Sequence, residues 1–194
     1  MYKLCKTEQS AARQRALEKG LLKIMQTTRY EDISVSDLCD HLQIPRKSFY
    51  RYFNSKDGAL YALLDHTLME FDAFTLLYEQ RNVRTVHLDL ESFFQFWVVH
   101  RDLLDALVRS GISGMLIERA IAYALTEEIM PKRFLPDDTQ EMQRHITMFG
   151  VCGLMSMVLT WHHENFSEPA SEMAKIAVRM LSQPLFPNAE RYFS

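Results

Sequence analysis

Apolar residues recur at helical spacing along almost the whole chain, and this periodicity most limits the possible folds. Leu17, Leu21 and Ile24 fall at i, i+4 and i+7, with charged residues between them, which is typical of an amphipathic helix. No run of alternating apolar and polar residues indicates a strand, and no Asn-Gly pair indicates a hairpin. The sequence therefore predicts an all-α fold.

Short polar or proline-containing segments divide this pattern into a series of predicted helices. Gly20 lies inside the first of them, where glycine costs about 1 kcal/mol relative to alanine, so we expect another helix to approach closely there. We expect an N-terminal three-helix domain over residues 8–55 and a second helical domain over residues 56–186. The predicted helices cover approximately residues 8–28, 34–42, 45–52, 56–78, 86–99, 101–110, 113–130, 139–164 and 168–182.

The composition is that of a globular protein and not of a membrane, secreted or disordered chain. Of the 194 residues, 47% are apolar and 24% are charged, and no apolar run reaches the roughly 18 residues that a membrane helix needs. The first residues lack the apolar run of a signal peptide. The three cysteines show no zinc-site or disulfide spacing, so a cytoplasmic location is expected.

No motif in the sequence predicts catalysis. The chain lacks a Gly-rich phosphate loop, a serine nucleophile elbow and an H-E-x-x-H zinc motif. His162 and His163 are adjacent, but neighbouring residues on a helix point about 100° apart, so the two imidazoles do not easily share one ion. We interpret them as a solvated helix end and predict neither an enzyme nor a metal or cofactor site.

The charge is distributed unevenly along the chain. Residues 1–60 hold 11 Lys and Arg against 7 Asp and Glu, whereas the remainder holds 11 against 18. A basic segment on an acidic body is typical of a protein that touches nucleic acid with one end. Because many enzymes share this asymmetry, it supports DNA binding only together with a local motif.

Two short predicted helices supply such a motif. Ser34 and Asp37 fit a capping box that opens the first, and Pro45 suits the start of the second. A turn of about three residues separates them, which predicts a helix-turn-helix whose second helix reads the major groove. We call residues 45–52 the recognition segment.

The exposed side of this motif carries the side chains that DNA recognition needs. Arg46 and Lys47 can reach guanine O6 and N7, and Ser48 can pair with several bases. The first turn of the preceding helix, at Ser34, Val35 and Ser36, offers backbone amides to a phosphate. Hydroxyl or cationic groups that can hold phosphates follow at Tyr50, Arg51, Tyr52 and Lys56.

The motif resembles the N-terminal domain of the tetracycline-repressor (TetR/AcrR) family over roughly residues 10–65. The most specific part is the run Phe49-Tyr50-x-Tyr52-Phe53-x-Ser55-Lys56-Asp57-x-x-Leu60. The resemblance implies a dimeric transcriptional regulator, usually a repressor, that a small molecule releases from double-stranded DNA. It also implies that Arg46, Lys47 and Ser48 face bases, that Tyr50, Tyr52 and Lys56 contact the DNA backbone, and that Phe49 and Phe53 are core.

The sequence departs from the family pattern at four positions. Lys47 replaces a frequent small residue and adds a donor. Arg29 and Gln43 stand where the family commonly has glycine, and Pro45 stands where it has a Ser or Thr cap. If the turn is the usual one, Gln43 adopts an unfavourable backbone conformation at a cost on the order of 1 kcal/mol.

The second domain is expected to hold a dimer interface and a ligand pocket. Apolar residues cover more than one face of the last two predicted helices, which the family pairs across a two-fold axis, so we predict a homodimer through residues 140–182. Its recognition helices would lie about 34–36 Å apart, or a larger multiple, on a palindromic operator. Packing within a monomer core is the alternative. The candidate pocket residues are Trp97, His100, Met115, Arg119, Tyr123 and Phe149, although core filling remains open for each.

Two other functions remain open from the sequence. The helical body of a DNA-bound protein can recruit a protein partner instead of a small ligand, and an all-α enzyme or binding module can keep the motif after losing DNA contact.

Overall fold

The regular structure of this chain is helical wherever it is described. The computed structural model describes residues 2–79, 86–126 and 140–182. Within them, a 3₁₀ turn covers Tyr30–Asp32 and an isolated antiparallel bridge joins Tyr2 to Phe53. The all-α prediction is therefore confirmed. The helices are α1 (Glu8–Met25), α2 (Val35–His41), α3 (Arg46–Phe49), α4 (Lys56–Glu79), α5 (Val86–Val99), α6 (Arg101–Arg109), α7 (Ser113–Thr126), α8 (Gln140–His163) and α9 (Ala170–Ser182).

The bounds of α3 differ most from the prediction. The helix has four residues, whereas periodicity predicts about eight, over 45–52. Beyond it, the amides of Tyr50 and Phe53 donate to the carbonyls of Arg46 and Phe49 at 3.1 and 3.2 Å, so the recognition segment continues as helical turns. Residues 80–85, 127–139 and 183–186, which the sequence analysis assigns to the second domain, lie outside the described residues.

The start of α2 is the capping box that the sequence predicts. The Asp37 amide donates to the Ser34 hydroxyl at 3.1 Å, and the Ser34 amide donates to the Asp37 carboxylate at 2.8 Å. Because the hydrogen bonds with Ser34 favour the charged carboxylate, they hold the pKa of Asp37 below its usual value.

Gly20 provides the close approach expected inside α1. A Cβ atom at this position would lie 2.6 Å from a methyl carbon of Leu42, the residue that ends α2. Any side chain at position 20 would therefore displace Leu42. The sequence predicts the need for glycine correctly, because α2 packs directly on α1 here.

The N-terminal unit is built around a compact apolar core. Leu21 from α1, Leu38 from α2 and Phe49 from α3 are each 0% exposed, as is Phe53. The rings of Phe49 and Phe53 lie with their centroids 5.2 Å apart. These contacts fix the recognition segment to the rest of the unit, so the backbone that carries its outward side chains is held in place.

Helix α4 joins this unit to the body. It packs on α1 and also on α5 and α7, while α5 packs on α9 and α7 on α8. Large aromatic residues fill the body core, and the rings of Phe94 and Trp161 meet edge to face at 5.6 Å. Among the residues described, no helix has the length and apolar character needed to span a membrane.

Helix α6 secures the C-terminal end of α1. The Arg109 guanidinium donates to the carbonyls of Met25 and Gln26, and the Gln26 side-chain amide donates to the Asp102 carbonyl at 2.8 Å. The Arg109 bonds satisfy carbonyls that the C-terminal end of α1 otherwise leaves to water, and the Gln26 bond joins that end to the first turn of α6. The body therefore holds α1 at one end through α6 and along its length through α4.

Candidate nucleic-acid interface

The recognition segment presents a cationic outer side. Arg46, Lys47 and Arg51 are exposed, Ser48 is half-buried, and Tyr50 is 43% exposed. Phe49 faces the opposite way into the core. The structure thus brings together the side chains that the sequence analysis assigns to bases and to the DNA backbone at these five positions, and their contacts with DNA remain a prediction.

The turn before α3 has the strained residue that the sequence analysis expects. Gln43 has a φ of 53°, a left-handed conformation that favours glycine. The Ile44 amide donates to the Cys39 carbonyl at 2.9 Å, and the Gln43 amide donates to the Asp40 carbonyl at 3.1 Å. This pair of bonds is the Schellman motif that ends α2, and it requires the positive φ at Gln43. Arg29, by contrast, has an ordinary extended backbone with a φ of −64°.

The first turn of α2 offers fewer amides to a phosphate than the sequence analysis expects. Ser34 is exposed, whereas Val35 and Ser36 are half-buried. The capping box uses the amides of Ser34 and Asp37, and the Asp37 carboxylate adds a negative charge at the same helix end. Phosphate binding at this turn would therefore rest on the amides of Val35 and Ser36.

Lys56 has a structural role that differs from the expected phosphate contact. Its ammonium donates to the carbonyls of Tyr30 and Ile33 at 2.6 Å each, and to that of Glu31 at 3.4 Å. It also lies 4.2 Å from the centroid of the Tyr30 ring. Since an ammonium has three donors, these carbonyls use all of them. Lys56 thereby fastens the 3₁₀ turn to the start of α4.

Tyr52 also differs from its expected role at the DNA backbone. It is 7% exposed, with its ring centroid 6.3 Å from that of Phe53. Positions 49, 52 and 53 follow the i, i+3, i+4 spacing of one helical face, so Tyr52 turns inward with the two phenylalanines. The aromatic ring belongs to the core of the N-terminal unit.

A segment ahead of α1, which sequence reasoning missed, braces the recognition segment. We call Tyr2–Thr7 the N-terminal strap. The Lys3 amide donates to the Tyr52 carbonyl at 2.9 Å, and the Lys3 ammonium donates to the Tyr50 carbonyl at 2.9 Å. Tyr2 bridges to Phe53. A segment this short has no periodicity to reveal it, and its partners lie about fifty residues away in the sequence.

The strap also reaches the body through Asp65 of α4. The Tyr2 hydroxyl donates to one Asp65 oxygen at 2.8 Å, and the Arg119 guanidinium donates to both oxygens at 2.6 and 2.7 Å. Burial and the neighbouring carboxylate raise the pKa of Tyr2 to about 12. Because both Asp65 oxygens accept from Arg119, this guanidinium belongs to an internal ion pair, whereas the sequence analysis places it among the candidate pocket residues.

The other candidate pocket residues are divided between the interior and the surface. Trp97 is 1% exposed, and its indole nitrogen has no hydrogen-bond partner among the described residues. His100 is half-buried with its ring centroid 4.2 Å from that of Phe96, and burial lowers its pKa. Met115 and Tyr123 are half-buried as well. Phe149 is 67% exposed, which places it on the surface of α8 and not on a pocket wall.

Helices α8 and α9 expose several large apolar side chains. Phe149 is the most exposed of them, and the other four side chains are about half exposed. The exposed fractions are 50% for Met142, 67% for Phe149, 46% for Ile176, 46% for Met180 and 53% for Leu181. Large apolar side chains exposed on two consecutive helices are typical of surfaces that become covered in an assembly.

The described residues form an N-terminal helix-turn-helix unit joined to a helical body, which is the architecture that the resemblance to the tetracycline-repressor family implies. No protein-family model matches the sequence, and no curated protein matches it. The fold is similar to that of the fatty acid degradation regulator FadR from Bacillus halodurans, with a TM-score of 0.63 and 15% identity over 94% of this chain and 98% of that one. This similarity confirms the fold that the sequence motif implies.

Two further solved structures share the fold. The dihydroxyacetone kinase operon activator DhaS matches with a TM-score of 0.55 and 15% identity, over 87% of this chain and 93% of its own. The TetR family repressor AlkX from Dietzia sp. strain DQ12-45-1b, implicated in biodegradation of n-alkanes, matches with a TM-score of 0.55 and 16% identity. It is covered over 95% of its length, and this chain over 87%.

Proposed function

We propose that this protein is a sequence-specific DNA-binding transcriptional regulator that works in the cytoplasm. The observation that carries the proposal is the exposed cationic side of the recognition segment, with Arg46, Lys47 and Arg51 outward and Phe49 buried beneath them. Long donors on a rigidly held short helix are what major-groove recognition requires. The shared fold with AlkX, a repressor, and DhaS, an operon activator, supports the same proposal.

Individual roles follow from position on this surface. Arg46, Lys47 and Ser48 lie at the N-terminal end of α3. Because the N-terminal residues of a recognition helix contact base edges, we assign these three to bases. Tyr50 and Arg51 follow beyond the helix and are assigned to phosphates. Sequence preference should therefore depend on positions 46–48, and overall affinity on positions 50 and 51.

The active form is proposed to be a homodimer through α8 and α9. Burying exposed apolar side chains such as Phe149 and Met180 in the interface would stabilise the dimer by about 25 cal/mol for each Å² of apolar surface removed from water. A two-fold axis there would present two recognition segments to one face of a duplex, so the operator would be a palindrome.

A small apolar molecule is the proposed effector, and its binding is proposed to release DNA. The buried indole N–H of Trp97 has no partner among the described residues, and an unpaired buried donor costs about 1–3 kcal/mol. A ligand acceptor would satisfy it. The surrounding rings, including Phe93 at 6.4 Å and Phe96 at 5.3 Å between centroids, suit an apolar ligand. FadR is a fatty acid degradation regulator and AlkX is implicated in biodegradation of n-alkanes, which supports the same ligand class.

Selection from a randomised duplex library, followed by fluorescence anisotropy at several salt concentrations, tests the DNA-binding proposal. The unaltered chain should enrich a palindromic site, and its affinity should fall steeply with salt because phosphate binding releases counterions. The double variant Arg46→Ala/Lys47→Ala should lose the sequence preference. Arg15→Ala, which removes a cation paired with Glu70 away from the recognition segment and from α8 and α9, is the matched control. Binding that is indifferent to salt, or a library without an enriched sequence, would contradict the proposal.

A further inference from the structure

A cationic groove lies between the N-terminal strap and the end of the recognition segment. Its volume is about 300 Å³. The strap contributes Lys3 and Lys6, the start of α1 contributes Ser10, and the recognition segment contributes Arg51. The groove is therefore continuous with the surface assigned to DNA, although it is formed largely by a segment outside the helix-turn-helix.

The charge of this groove is uncompensated by the protein. Its described lining contains three cations and no acidic side chain. Elsewhere, Arg119 pairs with Asp65 and Lys175 with Glu172. Lys6 and Arg51 are exposed and have no acidic partner within the described part of the chain. Cations gathered in this way repel one another, and an anion between them lowers the electrostatic energy.

Lys3 fixes the geometry of the groove. Its ammonium donates a hydrogen bond to the Tyr50 carbonyl, and its backbone amide donates one to the Tyr52 carbonyl, both at 2.9 Å. These two bonds hold the strap at a set distance from the recognition segment. Lys6, three residues further along, therefore lines the same groove as Arg51.

We propose that this groove binds a backbone phosphate of the DNA duplex that the recognition segment reads. Lys6 and Arg51 are the binding cations, and Lys3 is the positioning residue. The inference rests on the proposed DNA-binding function and extends it to a segment outside the helix-turn-helix. The duplex is the favoured source of the phosphate because the groove adjoins Tyr50 and Arg51, and a duplex seated on α3 carries its backbone past that end of the helix.

The salt dependence of DNA affinity tests the proposal, with Lys6→Ala in the full chain as the first variant. Each phosphate contact contributes about 0.9 to the slope of log K against log salt. Loss of one contact should therefore reduce that slope by about 0.9, so that between 50 and 200 mM salt the variant loses about 3.5-fold less affinity than the unaltered chain. The loss should be equal for selected and random duplexes, because a phosphate carries no sequence information.

Two other variants separate a phosphate contact from a structural effect. Lys6→Arg should restore the slope, and Arg15→Ala, which removes a cation paired with Glu70, should leave it unchanged. Lys6 makes no hydrogen bond in the described structure and is exposed, so Lys6→Ala should also leave the melting temperature unaltered. An unchanged slope in Lys6→Ala, with DNA binding otherwise intact, overturns this inference and leaves the proposed function standing.

A titration of the DNA-free protein with inorganic phosphate, followed by the amide NMR signals of Lys6 and Thr7, distinguishes the two sources of phosphate. We expect no saturation at millimolar concentrations, because a single phosphate on an open surface lacks the multiple contacts of a duplex. Saturable binding of free phosphate that Lys6→Ala abolishes would overturn the assignment to DNA. If the unaltered chain shows no salt-sensitive DNA binding at all, the proposed function and this inference fail together.

Discussion

Replacing Lys56 by methionine distinguishes a residue that holds the protein together from one that holds DNA. Its ammonium donates to the carbonyls of Tyr30 and Ile33 at 2.6 Å and to that of Glu31 at 3.4 Å. Methionine keeps most of the side-chain length and removes all three donors. A hydrogen bond to a charged group contributes about 1.5–3 kcal/mol. Since Lys56 is only half-buried, we take the lower value for the two short bonds and expect a loss of about 3 kcal/mol.

Urea unfolding followed by far-UV circular dichroism measures this loss as a change in the free energy of unfolding. In a chain of this size, 3 kcal/mol corresponds to a fall in melting temperature of roughly 6–12 °C. The control is Lys175→Met, which removes one exposed ion pair with Glu172 and should cost less than about 1 kcal/mol. The reasoning is refuted if Lys56→Met leaves stability within about 0.5 kcal/mol of the unaltered chain and lowers the salt slope of DNA binding by about 0.9, because that pattern is the signature of a phosphate contact.

Three more perturbations follow from the structure. Gln43→Gly should raise the free energy of unfolding by about 1 kcal/mol, because Gln43 has a φ of 53°, and a destabilised variant in urea unfolding would contradict this. Stability should decline as the pH rises from about 10 to 12, because burial and Asp65 raise the folded-state pKa of Tyr2 from its usual value of 10.0 to about 12 and the fold favours the neutral phenol. Tyr2→Phe should show a smaller decline in alkaline melting curves, and an equal decline would refute the link. Phe149→Ser should shift the protein from dimer to monomer in light scattering, because Phe149 is 67% exposed, whereas an unchanged mass would exclude this residue from the interface.

The fold could be predicted from the sequence because helical periodicity is a local signal. The bounds of α5 are those predicted, and the capping box at Ser34 and Asp37 is confirmed atom by atom. Gly20 was predictable because a glycine inside an amphipathic helix indicates a close approach by another element. These inferences need only the identity of residues a few positions apart, whereas the strained backbone at Gln43 was expected from the family pattern, which commonly has glycine at that position.

The candidate site was less predictable because its less obvious contacts join distant residues. Lys56 follows a family motif, but the three carbonyls that it binds lie on a 3₁₀ turn more than twenty residues earlier. Arg119 pairs with a carboxylate 54 residues away. No periodicity in either segment encodes such a partner, so sequence reasoning assigned both cations to external ligands.

The position of the two tryptophans decides what intrinsic fluorescence can report. Trp97 and Trp161 are 1% and 2% exposed in the body, and the chain has two tryptophans in all. Their emission therefore follows the environment of the body, whereas the N-terminal unit is silent at that wavelength. If an effector or denaturant acts on one part alone, its effect on tryptophan emission will not coincide with its effect on the far-UV circular dichroism of the whole chain. Comparing the two signals therefore measures the coupling between the N-terminal unit and the body without any label.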